Sequence, residues 1–215
     1  MNSFSTYIFD LDGTLLDTLG DLAASVNYAL RTHGMPEHSI DDVRRFVGNG
    51  VRKLMQRAIP DGETNPDFEA TFATFRQYYM AHSLDTTRPY DGIPETLAAL
   101  KARGCRLAVV SNKMMAATQE LIRHFFPDTI EVAIGEDEAA GIRKKPAPDT
   151  VFTALRQLGV GKEGSVYVGD SDVDIQTAAN AGIPCISVFW GFRDRDFLIH
   201  HGAKTFISAP SELLL

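Results

Sequence analysis

The chain has 215 residues, 44% hydrophobic and 23% charged, as in an ordinary soluble globular protein of one medium domain or one domain carrying an insertion. Its net charge of −7, from 21 basic and 28 acidic residues, argues against a nucleic-acid partner and means that any anionic substrate is held by local positive groups. No apolar run is long enough for a membrane span, and the opening Met-Asn-Ser-Phe-Ser-Thr lacks a signal peptide's basic and apolar regions. The chain therefore reads as cytoplasmic, its two cysteines, Cys105 and Cys185, as buried free thiols.

Thr6 to Phe9 has the pattern of a short buried strand. It runs into Asp10-Leu11-Asp12-Gly13-Thr14-Leu15-Leu16-Asp17-Thr18. Asp10 and Asp12 stand two apart, so an extended backbone points both to one side. Gly13 frees the backbone for a tight turn, and Thr14 adds a hydroxyl and an amide beside the acids. Two like charges held this close repel and raise a pKa unless a cation is present. The pair therefore asks for a divalent metal with oxygen ligands, Mg2+ being the natural choice. Taken alone, such a pair is more often just a solvated turn.

Leu19, Leu22, Val26 and Leu30 recur at helical spacing up to Gly34. Ser39 with Asp41 and Asp42 opens a second helix that places Ile40, Val43 and Phe46 on one face. Gly48-Asn49-Gly50 interrupts it, Val51, Leu54 and Ala58 resume the pattern, and Pro60 to Pro66 is a loop. Phe68, Phe72, Phe75 and Tyr79 form an aromatic stripe on a further helix, read as core. Residues 17–85 thus contain helices and no convincing strand.

The pattern changes after Arg88-Pro89-Tyr90-Asp91-Gly92. The spacing predicts helix 94–103, strand 106–110, helix 114–125 and strand 130–134. Helix 149–158, strand 165–168, helix 173–181, strand 185–189 and a short strand 205–207 follow. Strands alternating with helices indicate a parallel sheet covered on both faces by right-handed crossovers. The predicted fold class is α/β: a doubly wound, Rossmann-like core formed by residues 1–16 and 86–215, with an all-helical cap inserted at 17–85.

In such a sheet ligands bind at the carboxyl ends of the strands, and polar residues gather there. Ser111-Asn112-Lys113 follows the second core strand, Lys144-Lys145-Pro146-Ala147-Pro148-Asp149 lies in a preceding loop, and Gly169-Asp170-Ser171-Asp172-Val173-Asp174 follows the fourth. Each has a plain structural reading, as a helix cap, a solvated lysine or an acidic helix start. Together and in this order they are harder to dismiss.

The string D-x-D-G-T-L-x-D-T from Asp10 to Thr18, the S-N at Ser111 and Asn112, the K-P-x-P-D from Lys145 and the G-D-S-x-x-D ending at Asp174 resemble the four motifs of the haloacid dehalogenase superfamily. The likeness covers essentially the whole chain and is closest to the phosphoglycolate phosphatase-like branch. It implies Asp10 as nucleophile, forming an aspartyl-phosphate, and Asp12 as general acid and then base. It implies Mg2+ held by the Asp10 carboxylate, the Asp12 backbone carbonyl and Asp170, with Asp174 in support. Lys145 and Ser111 would orient the phosphoryl group, with Gly13, Thr14 and Asn112 as further substrate contacts. A carboxylate at Asp12 argues against a dehalogenase.

The cap segment from Phe46 through Gly48-Asn49-Gly50 to Arg52 and Lys53 resembles the G-N-G segment of phosphoglycolate phosphatases. Glycines before a helix offer amides to an anion. Gly48, Asn49 and Arg52 are therefore candidate contacts for a small phosphorylated acid, although the segment also reads as a simple helix–helix turn. The resemblance implies an Mg2+-dependent phosphatase acting on a small phosphorylated metabolite, 2-phosphoglycolate above others, as monomer or homodimer. A pyrophosphatase, a phosphosugar phosphatase or mutase, and a non-catalytic phosphate-binding relative share the core.

Overall fold

A computed structural model of the protein describes residues 4–137, 139 and 141–215; Met1–Ser3, half of the opening stretch read above, lie outside them. In chain order its elements begin with β1 (Thr6–Phe9), the two-residue β2 (Leu16–Asp17), α1 (Leu19–Thr32), α2 (Ile40–Phe46), α3 (Val51–Ala58), α4 (Phe68–His82) and the two-residue β3 (Arg88–Pro89). They continue with α5 (Ile93–Ala102), β4 (Arg106–Met114), α6 (Met115–Phe125), β5 (Val132–Glu136), α7 (Asp149–Leu158), β6 (Ser165–Gly169), α8 (Asp172–Ala181), β7 (Cys185–Val188), α9 (Arg195–His200) and β8 (Phe206–Ile207). The chain divides into two compact units, Met1–Leu16 with Pro89–Leu215, and Asp17–Arg88.

The first unit is built on a six-stranded parallel sheet in the order β5–β4–β1–β6–β7–β8. This is the doubly wound α/β arrangement that the alternation of strands and helices implies. β1 is buried on both faces, which explains its nearly continuous apolar run. Tyr7 and Phe9 pack into one cluster with Leu97, Leu100, Leu121 and Ile122 of α5 and α6. Ile8 turns to the other, with Val151, Leu155, Ala178 and Ala181 of α7 and α8. The chain order reverses about β1, whose neighbours are β4 and β6, and this creates the crevice in which such folds bind ligands.

β4 corrects the sequence reading. It runs to Met114, with a register irregularity after Val110, so Ser111, Asn112 and Lys113 belong to the strand and do not follow it. Their polarity allowed a helix cap beyond the strand, but all three are buried and find polar partners there. α9 and a 3-10 turn at Pro210–Leu214, too short for periodicity to reveal, were also not foreseen.

The second unit is helical. Leu19, Leu22, Val26 and Leu30 of α1 are all buried. Ser39 caps α2 in a reciprocal box with Asp42. Ile40, expected on the buried face of α2, is 49% exposed; only Val43 of that helix is fully buried. Phe68, Phe75 and Tyr79 of α4 are core as expected, with Phe72 half-buried. Buried Asp21 accepts hydrogen bonds from the amides and hydroxyls of Thr86 and Thr87, tying the end of the unit to its first helix.

Candidate active site

The site stands at the carboxyl ends of β1, β4 and β6. The amide of Asp10 donates to the Val168 carbonyl at 2.9 Å, which continues the β1–β6 pairing one residue beyond the strand and brings Asp10 beside Asp170. Asp10 Oδ1 accepts from the Leu11 amide at 2.7 Å and from Lys145 Nζ at 2.8 Å. Its Oδ2 takes no hydrogen bond among the described residues. Lys145 is brought here by Asn112, whose side chain grips the lysine's backbone at both ends: Oδ1 accepts from Lys145 N at 2.8 Å and Nδ2 donates to Lys145 O at 3.0 Å. The Lys145–Pro146 peptide is cis.

Lys145 Nζ also donates to Asp174 Oδ1 at 2.8 Å and to the Tyr167 hydroxyl at 3.0 Å. Asp174 is fixed by a capping box at the start of α8, its Oδ2 accepting from the amide and hydroxyl of Ser171. The Tyr167 hydroxyl donates to its Oδ1 at 3.0 Å. A Cβ at Gly169 would stand 2.4 Å from the Asp174 side chain, so only glycine leaves room for this carboxylate under the strand end. Both oxygens of Asp174 are thus committed to holding Lys145 and the helix start.

Asp170 is held at both oxygens. Thr14 Oγ1 donates to its Oδ1 at 3.2 Å, and the Phe192 amide donates to its Oδ2 at 2.7 Å. The Trp190 indole donates to the Thr14 carbonyl at 2.9 Å. Gly13, at φ +82°, lies so near that an added Cβ would meet Asp170 Oδ2 at 2.4 Å, and one at Gly191 would meet the Asp170 Cβ at 2.3 Å.

Crowding buried carboxylates has the expected electrostatic result. Burial, then the charge of Asp174, pushes Asp10 well above the usual carboxylate range, with Lys145 pulling the other way. The same two causes push Asp170 up to about 7. Burial works to lower Lys145, but Asp10 and Asp174 outweigh it and hold the ammonium above its ordinary value, so it stays charged. Oxygens of Asp10, Asp170 and Asp174 all lie within 4.8 Å of one another. One lysine does not neutralise three such carboxylates. The all-oxygen set suits a hard divalent cation, which would bring the missing positive charge to Asp10 and Asp170.

The structure therefore gathers Asp10, Lys145, Asp170 and Asp174, with Ser111 buried on the neighbouring strand. The Ser111 hydroxyl oxygen accepts from the Lys113 amide at 3.2 Å, which leaves its proton to be donated elsewhere. Gly13, Thr14 and Asn112 also have partners within the core. The Gly13 amide donates to Leu16 O and the Thr14 amide to Leu11 O, while the Thr14 hydroxyl serves Asp170. Asn112 spends its amide on the Lys145 backbone. In the structure these groups shape the site, each with a partner inside the core.

Gly48, Asn49 and Arg52 lie in the second unit and are engaged within it. Arg52 is bonded to Glu63 Oε1 at 2.8 Å and Glu69 Oε1 at 2.7 Å and stacks over Phe68 and Phe72. Lys53 donates to Gln56. Asn49 Oδ1 accepts from Arg57, and Gly48 and Gly50 adopt φ +124° and +86° at the entry to α3, conformations that favour glycine.

The sequence reading missed Lys113, whose Nζ lies 2.9 Å from Asp12 Oδ1, Tyr167, and the Trp190–Phe192 turn. A tyrosine in an otherwise apolar buried strand was a usable signal, because its hydroxyl must find a partner. The turn left no comparable trace.

A model of the haloacid dehalogenase-like hydrolases matches residues 7–188. The chain is 34% identical to a phosphoglycolate phosphatase of Aquifex aeolicus over 186 residues, 86% of this chain and 84% of the relative. It is 32% identical to an N-acetylmuramic acid 6-phosphate phosphatase of Pseudomonas aeruginosa, over 96% and 92% of the two chains. The solved structure of a candidate phosphoglycolate phosphatase from Lactobacillus delbrueckii superimposes with a TM-score of 0.93 at 36% identity, covering 98% of this chain and 97% of that one.

Proposed function

The chain belongs to the haloacid dehalogenase-like hydrolase family, and we propose on that premise that it is an Mg2+-dependent phosphatase that hydrolyses 2-phosphoglycolate through an aspartyl-phosphate on Asp10. The observation that carries the reading is the clamped ammonium of Lys145, bonded at once to Asp174 and to Oδ1 of Asp10, whose Oδ2 takes no hydrogen bond among the described residues. A nucleophile held this way presents its second oxygen in a fixed direction.

Asp10 Oδ2 attacks phosphorus as the bond to the leaving oxygen breaks, and Asp12 gives that oxygen a proton. Asp12 then takes a proton from water, which attacks the acyl phosphate; inorganic phosphate leaves and Asp10 is restored. Lys145 and the Ser111 hydroxyl hold the phosphoryl oxygens. The Asp10 carboxylate, the Asp12 backbone carbonyl and Asp170 would hold Mg2+, which would supply positive charge against the phosphoryl group. Magnitudes support this emphasis on electrostatics. Phosphomonoester hydrolysis can need acceleration approaching ~10²¹, and proton transfer supplies only about 10²–10⁴.

The relatives support a small phosphorylated acid as substrate, phosphoglycolate first. The Pseudomonas relative favours a second reading, a phosphorylated sugar acid. Within the cap, the Gly48–Asn49 turn remains the proposed contact with the substrate's far end. A cytoplasmic location is part of the proposal, supported by the two unpaired thiols.

Phosphate release measured with Mg2+ against 2-phosphoglycolate, N-acetylmuramic acid 6-phosphate, pyrophosphate and p-nitrophenyl phosphate tests the reading. The highest kcat/KM is expected for 2-phosphoglycolate. A tenfold preference for pyrophosphate or the sugar acid would reassign the substrate, and no Mg2+-dependent release from any of them would remove the phosphatase reading.

A further inference from the structure

Lys113 is 3% exposed and lies at the end of β4, yet the reaction outlined above does not use it. Its Nζ stands 2.9 Å from Asp12 Oδ1. The strand is continued into the site as far as Met114, so the lysine's backbone is fixed, and its amide donates to Ser111 Oγ. Asp12 sits on the turn after β1 and is the more exposed partner, its side chain 15% accessible against 1% for the lysine. The rigid member of the pair is thus the lysine. A carboxylate that must donate a proton to one oxygen and accept one from another depends on being held in one orientation.

We propose that Lys113 is the positioning residue of the general acid–base, fixing one oxygen of Asp12 so that the other serves both proton transfers. The proposal rests on the phosphatase reading. It gives the two buried lysines separate duties: Lys145 acts on the nucleophile and the phosphoryl group, and Lys113 acts through Asp12.

The division has a kinetic signature. Forming the aspartyl-phosphate from an alkyl ester needs a proton on the leaving oxygen, whereas a nitrophenolate leaves without one. Hydrolysis of the aspartyl-phosphate needs Asp12 with either substrate. Lys113→Met should therefore lower kcat/KM for 2-phosphoglycolate at least about tenfold more than for p-nitrophenyl phosphate, a fraction of the 10²–10⁴ that proton transfer supplies. With the aryl ester kcat should fall more than kcat/KM, and mixing should release a burst of nitrophenolate near one equivalent per site. Lys113→Arg should restore part of the alkyl activity.

Wild-type turnover of both esters is measured first, since its absence defeats the underlying phosphatase reading and not the role of Lys113. With that turnover in hand, an equal fall in kcat/KM for the two esters and no burst overturns the proposal, because a structural lysine or one contacting phosphate would act that way. Should Lys113→Met fail to fold, the double variant Lys113→Met/Asp12→Asn, which removes both charges, is compared with Asp12→Asn. Equal rates support action through Asp12, and a further tenfold loss in the double variant overturns it.

Discussion

Asp10 has one oxygen engaged by Leu11 and Lys145, so removing its charge while keeping its shape isolates the chemistry. Asp10→Asn should abolish turnover by at least about three orders of magnitude, as expected for loss of a covalent nucleophile, and should keep the fold. Phosphate release and a thermal melt together check this, and activity above a few per cent would rule out the covalent route. Asp170 supplies a pH prediction. Its carboxyl is raised from 3.8 to about 7, so from about pH 4 the folded protein holds a proton that the unfolded chain releases. This contribution to stability is present below the unfolded value and is lost as pH rises through about 7; it amounts to about 4 kcal/mol at most. Melts in EDTA should show Tm falling over that window with a shallower slope in Asp170→Asn. Since a cation must displace the proton, Mg2+ affinity should rise with pH and level off above about 7. An Mg2+ titration that is flat from pH 5.5 to 8 would remove Asp170 from the metal site. Asp10, Asp12, Lys145 and Asp170 were legible in the sequence because carboxylates and a lysine at motif spacing imply shared chemistry. Lys113 was not, because sequence spacing cannot tell a lysine facing solvent from one facing Asp12 across two strands.

At the scale of elements, local chemistry predicted well where one residue type has one use. Ser39 proved to be the cap expected of it, in a reciprocal box with Asp42, and the acidic helix start read at residues 170–174 holds a second such box, from Ser171 to Asp174, which also aims a site carboxylate. Local chemistry misled where a partner far away in sequence decides. Ser111 and Asn112 could read as a helix cap because buried strand positions are usually apolar, and Asn112 is tolerated there because the Lys145 backbone satisfies it. Asn112→Ala should release that backbone. Vanadate affinity is expected to fall about tenfold, in step with 1–3 kcal/mol for unsatisfied buried groups, while the Mg2+ requirement changes little; unaltered vanadate binding would show that Lys145 keeps its place without the clamp. Arg52 poses the same question, since its charge was visible in the sequence and its partners Glu63 and Glu69 were not. Arg52→Ala should lower Tm slightly and reduce activity on 2-phosphoglycolate and p-nitrophenyl phosphate to the same small extent. A selective loss on phosphoglycolate would return Arg52 to substrate recognition.

The two compact units divide the chemistry unequally. Every carboxylate and lysine assigned to phosphoryl transfer belongs to the unit formed by Met1–Leu16 and Pro89–Leu215, and none to Asp17–Arg88. That unit closes its own chain path: the Tyr90 amide donates to the Leu15 carbonyl at 3.1 Å, so the residues flanking the insert are neighbours within it. Two observations suggest that the sheet can form without the insert. β1 finds both its partners, β4 and β6, in residues beyond position 100, and the two clusters that cover the sheet draw on the same unit. Replacing residues 17–88 by a short Gly-Ser linker should therefore leave a folded core that still hydrolyses p-nitrophenyl phosphate in Mg2+. Its rate on that ester sets the reference for the core alone. Hydrolysis of 2-phosphoglycolate should fall by at least about a further hundredfold in kcat/KM, the scale of rate lost when positioning contacts go. A near-ultraviolet circular dichroism spectrum confirms the fold before the rates are compared. A folded core that kept its preference for phosphoglycolate would place substrate selection at the strand ends, and a folded core inactive toward both esters would mean that the insert supplies part of the phosphoryl-transfer machinery.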